Sequence, residues 1–362
     1  MKKLSRRKRI WFLLCAGMLL AALGCAVGLR FLSGRLLSQR EAERWRGENE
    51  QDYKQISCFM PVGSAVGLKE IYAFRYALLD DLQAVGIEWE EDVYPFIDAW
   101  SSEGKMKISG DKAATDAPVL AVGGQFFEFH PLRLLSGSYL SEGELSPDRV
   151  VLDRELAWEL FGGTELNGMR VQVNGVDFIV GGVVEREKDS ASRRAYSGEK
   201  GFFMSYDAYR AITEQDSIDC YEVVLPETVR GFAAQLVADR FPNKEGENIV
   251  NTDRFAVERL LQLARDLPKR AAHGGSVRYP YWENAARIAE NEGAALAVGA
   301  LALALPAVIT ALIELIRLLI RGKNALEEDL LPKAKEGVEE AVRVRARKRW
   351  EKKHGWENGG KR

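Results

Sequence analysis

The sequence predicts an α+β protein whose two-lobed extracytoplasmic domain lies between two transmembrane helices. Residues 10–29 and 294–313 are uncharged stretches, each long enough to cross a hydrocarbon layer of about 30 Å as a helix. The block between them alternates between strand-like and helix-like spacing of its apolar residues. We therefore predict transmembrane helices at 10–32 and 294–320, with an extracytoplasmic domain at 33–293.

The charge distribution predicts the orientation of the two helices. Residues 1–9 contain six basic residues and no acidic one, and residues 321–362 contain 13 basic against 8 acidic residues. Cytoplasmic segments next to a span carry such an excess of lysine and arginine, so we expect both termini on the cytoplasmic side of the plasma membrane. The basic part of the tail either lies against anionic membrane lipid or a partner, or is a solvated helix.

The domain between the spans is acidic, since residues 33–293 carry a net charge of -14 within a chain of net charge -2. This block has no basic excess to attract nucleic acid. The first apolar stretch could instead be a cleaved signal peptide or a lipoprotein signal ending at Cys25. Its apolar core exceeds that of a signal peptide, and Arg30 stands where small residues are expected, so an uncleaved anchor is favoured.

Aromatic residues flank the predicted spans. Trp11 fits the inner membrane interface, while Tyr279, Tyr281 and Trp282 precede the second span as an outer aromatic belt would. We expect the highly charged segment 33–54 to form a helical stalk, and 279–293 to form a second stalk leading into the membrane.

Within the domain, strand and helix patterns follow one another. Residues 56–60 form a short apolar run typical of a strand, and residues 68–85 have apolar residues at helical spacing. A similar alternation returns after residue 217. The simplest topology is one α+β lobe built from both ends of the block, with a smaller β-rich lobe, about 118–200, inserted in its middle.

The segment LAWELFGGTELNGMRVQVNG, residues 156–175, contains several glycines. Gly163 and Gly168 have the separation of a phosphate-binding loop, but Met169 and Arg170 occupy the positions of its lysine and hydroxyl residue. We therefore predict no nucleotide site and no other cofactor here.

A structural interpretation accounts for the same segment. Phe161 belongs to the apolar face of a short helix, Gly162 suits its left-handed end, and Gly168 turns the chain into a strand. Asn174-Gly175 is the strongest short signal for a hairpin with a type I′ turn. We expect these five residues to shape the inserted lobe.

The stretch DRVVLDRELAWELFGGTELNGMRVQVNGVDFIVGGVVE resembles the extracytoplasmic core domain of MacB/FtsX-type ABC transporter permeases. That domain typically shows a strand, a helix ending in an A-x-x-L-F-G-like sequence, a glycine, and a hairpin ending in V-x-G-V. The matching positions are Val150, Val151, Leu152, Ala157, Leu160, Phe161, Gly162, Gly168, Val171, Val173, Gly175, Phe178, Val180, Gly182 and Val183. Upstream, Gly137-Ser138-Tyr139-Leu140 resembles the family's G-R-x-F segment but lacks its arginine.

The resemblance implies a non-catalytic membrane subunit. In that family a two-lobed ectodomain, inserted between the first two membrane helices, passes movement from cytoplasmic ATPases to the outside for efflux, lipoprotein extraction or control of cell-wall hydrolases. A partner ABC ATPase is thus implied. Family permeases have four spans whereas two are predicted here, so a four-span permease or a further copy of the chain is also expected. The alternative is a stand-alone envelope scaffold or adhesion protein that kept the ectodomain fold without transport.

Other candidate sites give weaker signals. Cys58 and Cys220 lie in the outer block and are compatible either with a disulfide or with two unpaired buried thiols. His130, His273 and His354 lack zinc-site spacing, so we predict no metal site. The chain has no G-x-S-x-G motif, and a hydrolase would need catalytic groups brought together from distant positions.

Overall fold

The computed structural model describes residues 6–354 except 49, 91–92, 142–147, 197–199, 271–275 and 326–330. The chain divides into two compact units. One comprises Cys25–Val298 and contains the whole sheet, and the other comprises Met1–Gly24 together with Gly299–Arg362.

Ten strands and eleven α-helices are found in the described residues. The strands are β1 Tyr53–Phe59, β2 Ile97–Ser109, β3 Ala114–Gly124, β4 Arg133–Gly137, β5 Arg149–Asp153, β6 Arg170–Val173, β7 Val176–Glu185, β8 Phe202–Ser205, β9 Cys220–Pro226 and β10 Glu247–Val250. The helices are α1 Arg6–Arg35, α2 Glu41–Arg46, α3 Leu68–Ala84, α4 Phe126–Phe129, α5 Arg154–Leu160, α6 Ser190–Ala195, α7 Tyr206–Thr213, α8 Phe232–Arg240, α9 Val257–Arg270, α10 Tyr281–Ala325 and α11 Leu331–His354.

All ten strands pair in one mixed sheet, so the α+β class is confirmed. The strand order is β10-β1-β9-β2-β3-β8-β5-β7-β4, and β6 pairs with both β2 and β7. Strand β1 lies between β9 and β10, which brings the two ends of the block together. The strands of the region predicted as an inserted lobe continue the same sheet through the long β2–β3 hairpin, whose register runs from Ala99 opposite Gly124 to Ser109 opposite Ala114. The limits of the two lobes remain a prediction.

The sheet has an apolar core on each face, because successive side chains of a strand point to opposite sides. Helix α3 illustrates the first core: Ile71, Phe74, Leu78 and Leu82 recur at helical spacing and are each at most 2% exposed. Burying a side chain of this size contributes roughly 1.5–3 kcal/mol. The second core contains α4 and Trp282 of α10.

The segment 33–54, predicted as a helical stalk, is helical in pieces. Helix α1 ends at Arg35, a 3₁₀ turn covers Leu37–Gln39, and α2 is only six residues long. The side chain of Gln55 explains the break, because its Oε1 accepts from the Glu41 N–H at 2.9 Å and its Nε2 donates to the Ser38 carbonyl at 2.7 Å. These bonds attach the segment to β1 instead of leaving it free in solvent.

Two helices are long and apolar enough to cross a membrane by length and composition, Arg9–Arg35 and Tyr281–Asn324. They contain the predicted spans 10–32 and 294–320. The second helix begins well before the apolar stretch, so residues 281–293 are its first turns and continue directly into that stretch. The role of 279–293 as a stalk stays a prediction. In the tail, α11 is described from 331 to 354 and its described side chains are exposed.

Candidate functional site

The turn after β10, residues 251–254, is the point where the sheet meets helix α10. Three consecutive residues of this turn bind β1: Asn251 donates to the Ser57 hydroxyl at 2.8 Å, the Thr252 hydroxyl accepts from the Gln55 N–H at 2.8 Å, and Asp253 accepts from Lys54 at 2.5 Å. These bonds fix the turn to β1, and Arg254 follows directly after the three bonded residues.

Arg254 is the centre of a buried charge network, which we call the α10 joint. Its guanidinium makes a bidentate pair with Glu283, at 2.7 Å from Nη1 and 2.6 Å from Nη2, and its Nε donates to Glu290 at 2.8 Å. Nη1 also donates to the Gln39 side chain at 2.8 Å. The side chains of Arg254 and Glu283 are fully buried, and that of Glu290 is 4% exposed. The joint therefore ties α10 to the sheet and to the segment that follows α1.

The electrostatics of the joint keep Arg254 charged. Burial disfavours the guanidinium cation, but the Glu283 and Glu290 carboxylates outweigh this, so the pKa of Arg254 lies above its usual value. Charge-assisted bonds of this geometry are stronger and more directional than bonds between neutral groups. The joint consequently specifies how the first turns of α10, residues 281–290, pack on the domain.

A second arginine extends the joint along the same helix face. Arg287, one turn after Glu283, donates to Glu283 at 2.6 Å and to Glu247 of β10 at 2.7 Å. Its guanidinium also lies 3.7 Å from the ring centroid of Tyr279, and the Tyr279 hydroxyl donates to Glu247. Sheet and helix are therefore joined at two successive helical turns.

A buried histidine lies beside the joint. His130 Nε2 is 2.5 Å from Glu222, and the Ser57 hydroxyl donates to the other Glu222 oxygen at 2.8 Å. The imidazole is fully buried, with ring centroids of Trp282 and Phe126 at 4.2 and 4.5 Å. Ser57 bonds the carboxylate and not the imidazole, so this trio lacks the nucleophile–base contact of a serine hydrolase.

Glu41 lies near these clusters at the start of α2. It is 3% exposed and pairs with Arg44. Burial raises the pKa of Glu41 to about 7, although the paired guanidinium lowers it. This carboxyl is therefore half protonated near neutral pH.

The burial of Trp282 contradicts its predicted place in an outer aromatic belt. Trp282 is 1% exposed and packs in the second core, and Tyr279 contacts Phe59 with ring centroids 5.4 Å apart. Tyr281 stacks on Tyr196 at 4.2 Å. Trp282 lies in the core because α10 begins inside the domain, whereas the place of the half-buried Tyr279 and Tyr281 at a membrane interface stays a prediction. Trp11 is 53% exposed in α1, and its place at a membrane interface stays a prediction.

The five residues expected to shape the inserted region lie together around α5 and the β6–β7 hairpin. Phe161 is 8% exposed within the first core, and Gly162 and Gly168 have φ of +82° and +84°. Asn174 and Gly175 have φ of +48° and +82°, and both central residues of a type I′ turn need positive φ.

Of the two alternatives for Cys58 and Cys220, the structure has the unpaired pair: both thiols are free and buried. Cys220 lies opposite Phe59 in the β1–β9 pair, so the two cysteines are offset by one residue. Their side chains therefore belong to different cores on opposite faces of the sheet. Burial raises the pKa of both thiols, as expected for unreactive cysteines.

The α10 joint was not anticipated from the sequence. Its only local signal is the pattern WENAARIAENE, in which Glu283 and Glu290 share a helix face with Ala286 and Ala289. Alanines on a charged face indicate close packing, and both are buried. Nothing in the sequence near Arg254 indicates that it is their partner. Within the described part of the chain, no group of three His, Cys, Asp or Glu side chains could hold a metal ion.

The fold and the joint define a class of protein, namely an α+β domain fastened by buried ion pairs to the start of a helix long enough to span a bilayer. Residues 46–239 match the MacB-like periplasmic core domain family, which is more than half of the chain. The chain belongs to this family. Among curated proteins no match is found.

Several solved structures resemble the chain at 14% identity. The periplasmic region of MacB from Actinobacillus actinomycetemcomitans has a TM-score of 0.41, covering 61% of this chain and 94% of that structure. The extracellular domain of the ABC-type transporter YknZ from Gram-positive bacteria has a TM-score of 0.37, covering 55% and 99%. A domain of a putative permease from Porphyromonas gingivalis has a TM-score of 0.33, covering 55% and 88%. No residue's role is transferred from them.

Proposed function

We propose that the chain is a non-catalytic membrane subunit of an ABC-type complex. In this proposal it couples a partner cytoplasmic ATPase to export or mechanotransmission outside the membrane, with both termini in the cytoplasm. Support comes from the family and from the two candidate spans that flank the domain.

The observation that carries the proposal is the α10 joint. Arg254 links Gln39, which follows the first candidate span, with Glu283 and Glu290, which precede the second apolar stretch. A displacement of either helix end would therefore act on the sheet through buried, directional bonds and not through a flexible linker. Such a connection suits a protein that passes movement between membrane and domain.

Purification of the tagged chain from its native membranes in mild detergent tests the partner. We expect an ABC ATPase in stoichiometric amount, with a four-span permease or a second copy of the chain. If no ATPase accompanies an intact complex in repeated preparations, the alternative of an envelope scaffold or adhesion protein replaces the proposal.

A variant of the joint tests the coupling itself. Arg287→Met removes the ion pairs of Arg287 with Glu283 and Glu247 but leaves the Arg254 pairs in place. In the reconstituted complex we expect a changed ATPase rate, several-fold in either direction, with unchanged assembly. The control Arg240→Met breaks a more exposed ion pair with Asp81 on the opposite sheet face and should leave the rate unaltered. Equal rates for both variants and the wild type would contradict coupling through the joint.

A further inference from the structure

A groove of about 410 Å³ lies between the β2–β3 hairpin, the end of α6 and the start of α10. Ligand-binding cavities in proteins usually have volumes between about 300 and 1,000 Å³. The groove lies beside the second core, and it shares Tyr279 with the α10 joint.

The rim of the groove is cationic although the domain is acidic. Among the residues that the structure describes, Lys105, Arg186 and Arg278 line it together with a single acidic residue, Glu103. Residues 33–293 as a whole carry a net charge of -14. A local positive field on such a domain can attract an acidic group that most of the remaining surface repels.

Arg186 is held in place inside the groove. It pairs with Asp153 at 2.8 Å, and its guanidinium lies 4.4 Å from the ring centroid of Tyr196. Lys105 and Arg278, in contrast, are exposed at the rim. The groove thus combines one ordered guanidinium, whose charge Asp153 offsets, with two exposed cations that can adjust to a ligand.

Stacked tyrosines form one wall of the groove. The rings of Tyr196 and Tyr281 are 4.2 Å apart with an interplanar angle of 25°. Tyrosine and arginine are enriched where proteins bind other polypeptides, because they offer large contact areas with few rotatable bonds. The wall is therefore suited to an apolar or aromatic side chain next to an acidic one.

We propose that this groove binds a short acidic peptide segment of an extracytoplasmic partner. Tyr281 lies 13 residues before the uncharged stretch that begins at Ala294, which is about 20 Å along a helix and places the groove away from the hydrocarbon layer. A long polyanion is disfavoured by the acidic charge of the surrounding domain. A peptide of a few residues fits the volume, the cationic rim and the aromatic wall.

An occupant would also touch the helix that carries the joint. Tyr281 is the first residue of α10 and lines the groove, whereas the next two residues, Trp282 and Glu283, are buried in the second core and in the α10 joint. Binding is independent of the proposed coupling to an ATPase, so the groove can be tested without a partner complex.

Selection of peptides on the full-length chain provides the test. The protein is placed in nanodiscs of phosphatidylcholine, which has no net charge, and a random dodecapeptide library is selected against it. We expect enriched sequences with acidic residues beside apolar or aromatic ones. Fluorescence anisotropy with synthetic copies should show binding that weakens as salt rises.

Charge-reversal variants locate the site. Lys105→Glu with Arg278→Glu should weaken the binding of these peptides about tenfold or more. The matched control Lys69→Glu with Arg230→Glu makes the same charge change at exposed positions outside the groove and should leave affinity unchanged. If the reversed variant unfolds at a lower temperature than the wild type, Lys105→Gln with Arg278→Gln is used instead, with a smaller loss expected.

Three results would overturn the proposal. The first is that the selection yields no acidic peptides. The second is that the enriched peptides bind the groove variant as tightly as the wild type. The third is that the control variant loses as much peptide affinity as the groove variant.

Discussion

Two regions of the domain are built in contrasting ways. The segment from α5 through the β6–β7 hairpin is shaped by buried apolar side chains such as Phe161 and Val173, and by glycines with positive φ. The α10 joint instead buries a guanidinium against two carboxylates. Apolar burial is non-directional and tolerates small shifts, whereas a bidentate ion pair has one favourable geometry. The contrast separates a region that contributes shape and stability from one that fixes the packing of the first turns of α10.

The largest expected effect follows from removing the centre of the joint. Arg254→Met leaves Glu283 and Glu290 buried without their main partner, and losing one member of a buried pair costs about 3–5 kcal/mol. Denaturant unfolding of the full chain in detergent should show this loss. Arg210→Met is the control, because its pairs with Asp207 and Asp216 are exposed and 3.5 Å long. If Arg254→Met lowers the free energy of unfolding by less than about 1 kcal/mol, the ion pairs of the joint do not hold α10 to the sheet.

Glu41, next to the joint, should make the stability of the protein depend on pH. Its folded pKa of about 7 lies above the ordinary value of 4.5, so the folded state retains a proton that the unfolded state releases. Stability should therefore fall as pH rises from about 4.5 to about 7. Glu41→Gln should remove this slope and make the protein more stable above pH 7 by up to about 3 kcal/mol.

Thermal unfolding between pH 4 and 8 measures the effect of Glu41. The neighbouring Glu43→Gln is the matched control, because Glu43 is exposed and pairs with the exposed Arg40. If Glu41→Gln keeps the slope of the wild type, the carboxyl does not titrate as its burial indicates.

A smaller effect is expected at the helix stop of the hairpin region. Gly162 has φ +82° and an added Cβ would meet the flexible end of Lys112, so Gly162→Ala should cost about 1–2 kcal/mol. The adjacent Gly163 has no such φ and open space around its Cβ position, so Gly163→Ala should be close to neutral. Chemical denaturation of both variants checks this pair. Equal stabilities would show that the left-handed conformation at 162 is not required.

The same contrast explains how much of the structure was predictable from sequence. The conformations of Asn174-Gly175 and Gly162 depend on residues only a few positions away, so they follow from local rules. Arg254 meets Glu283 across 29 positions and Gln39 across 215. Spacing and composition carry no information about such pairs. Trp282 was placed at the membrane because it lies near a span, but tertiary packing took it into the core.

The smallest expected effect concerns the cysteines. Neither of the two compared regions depends on a disulfide to hold the sheet. Cys58 and Cys220 lie on opposite faces of β1 and β9, so a reductant should leave the melting temperature unchanged. An alkylating reagent should modify all four thiols of the unfolded, unreduced protein. A disulfide would contribute about 2–4 kcal/mol, which reduction would remove as a visible fall in melting temperature. Mass spectrometry after alkylation counts the thiols directly. Only two reactive thiols would mean that the strands shift register by one residue to allow a bridge, which would also move every side chain of that strand to the other face.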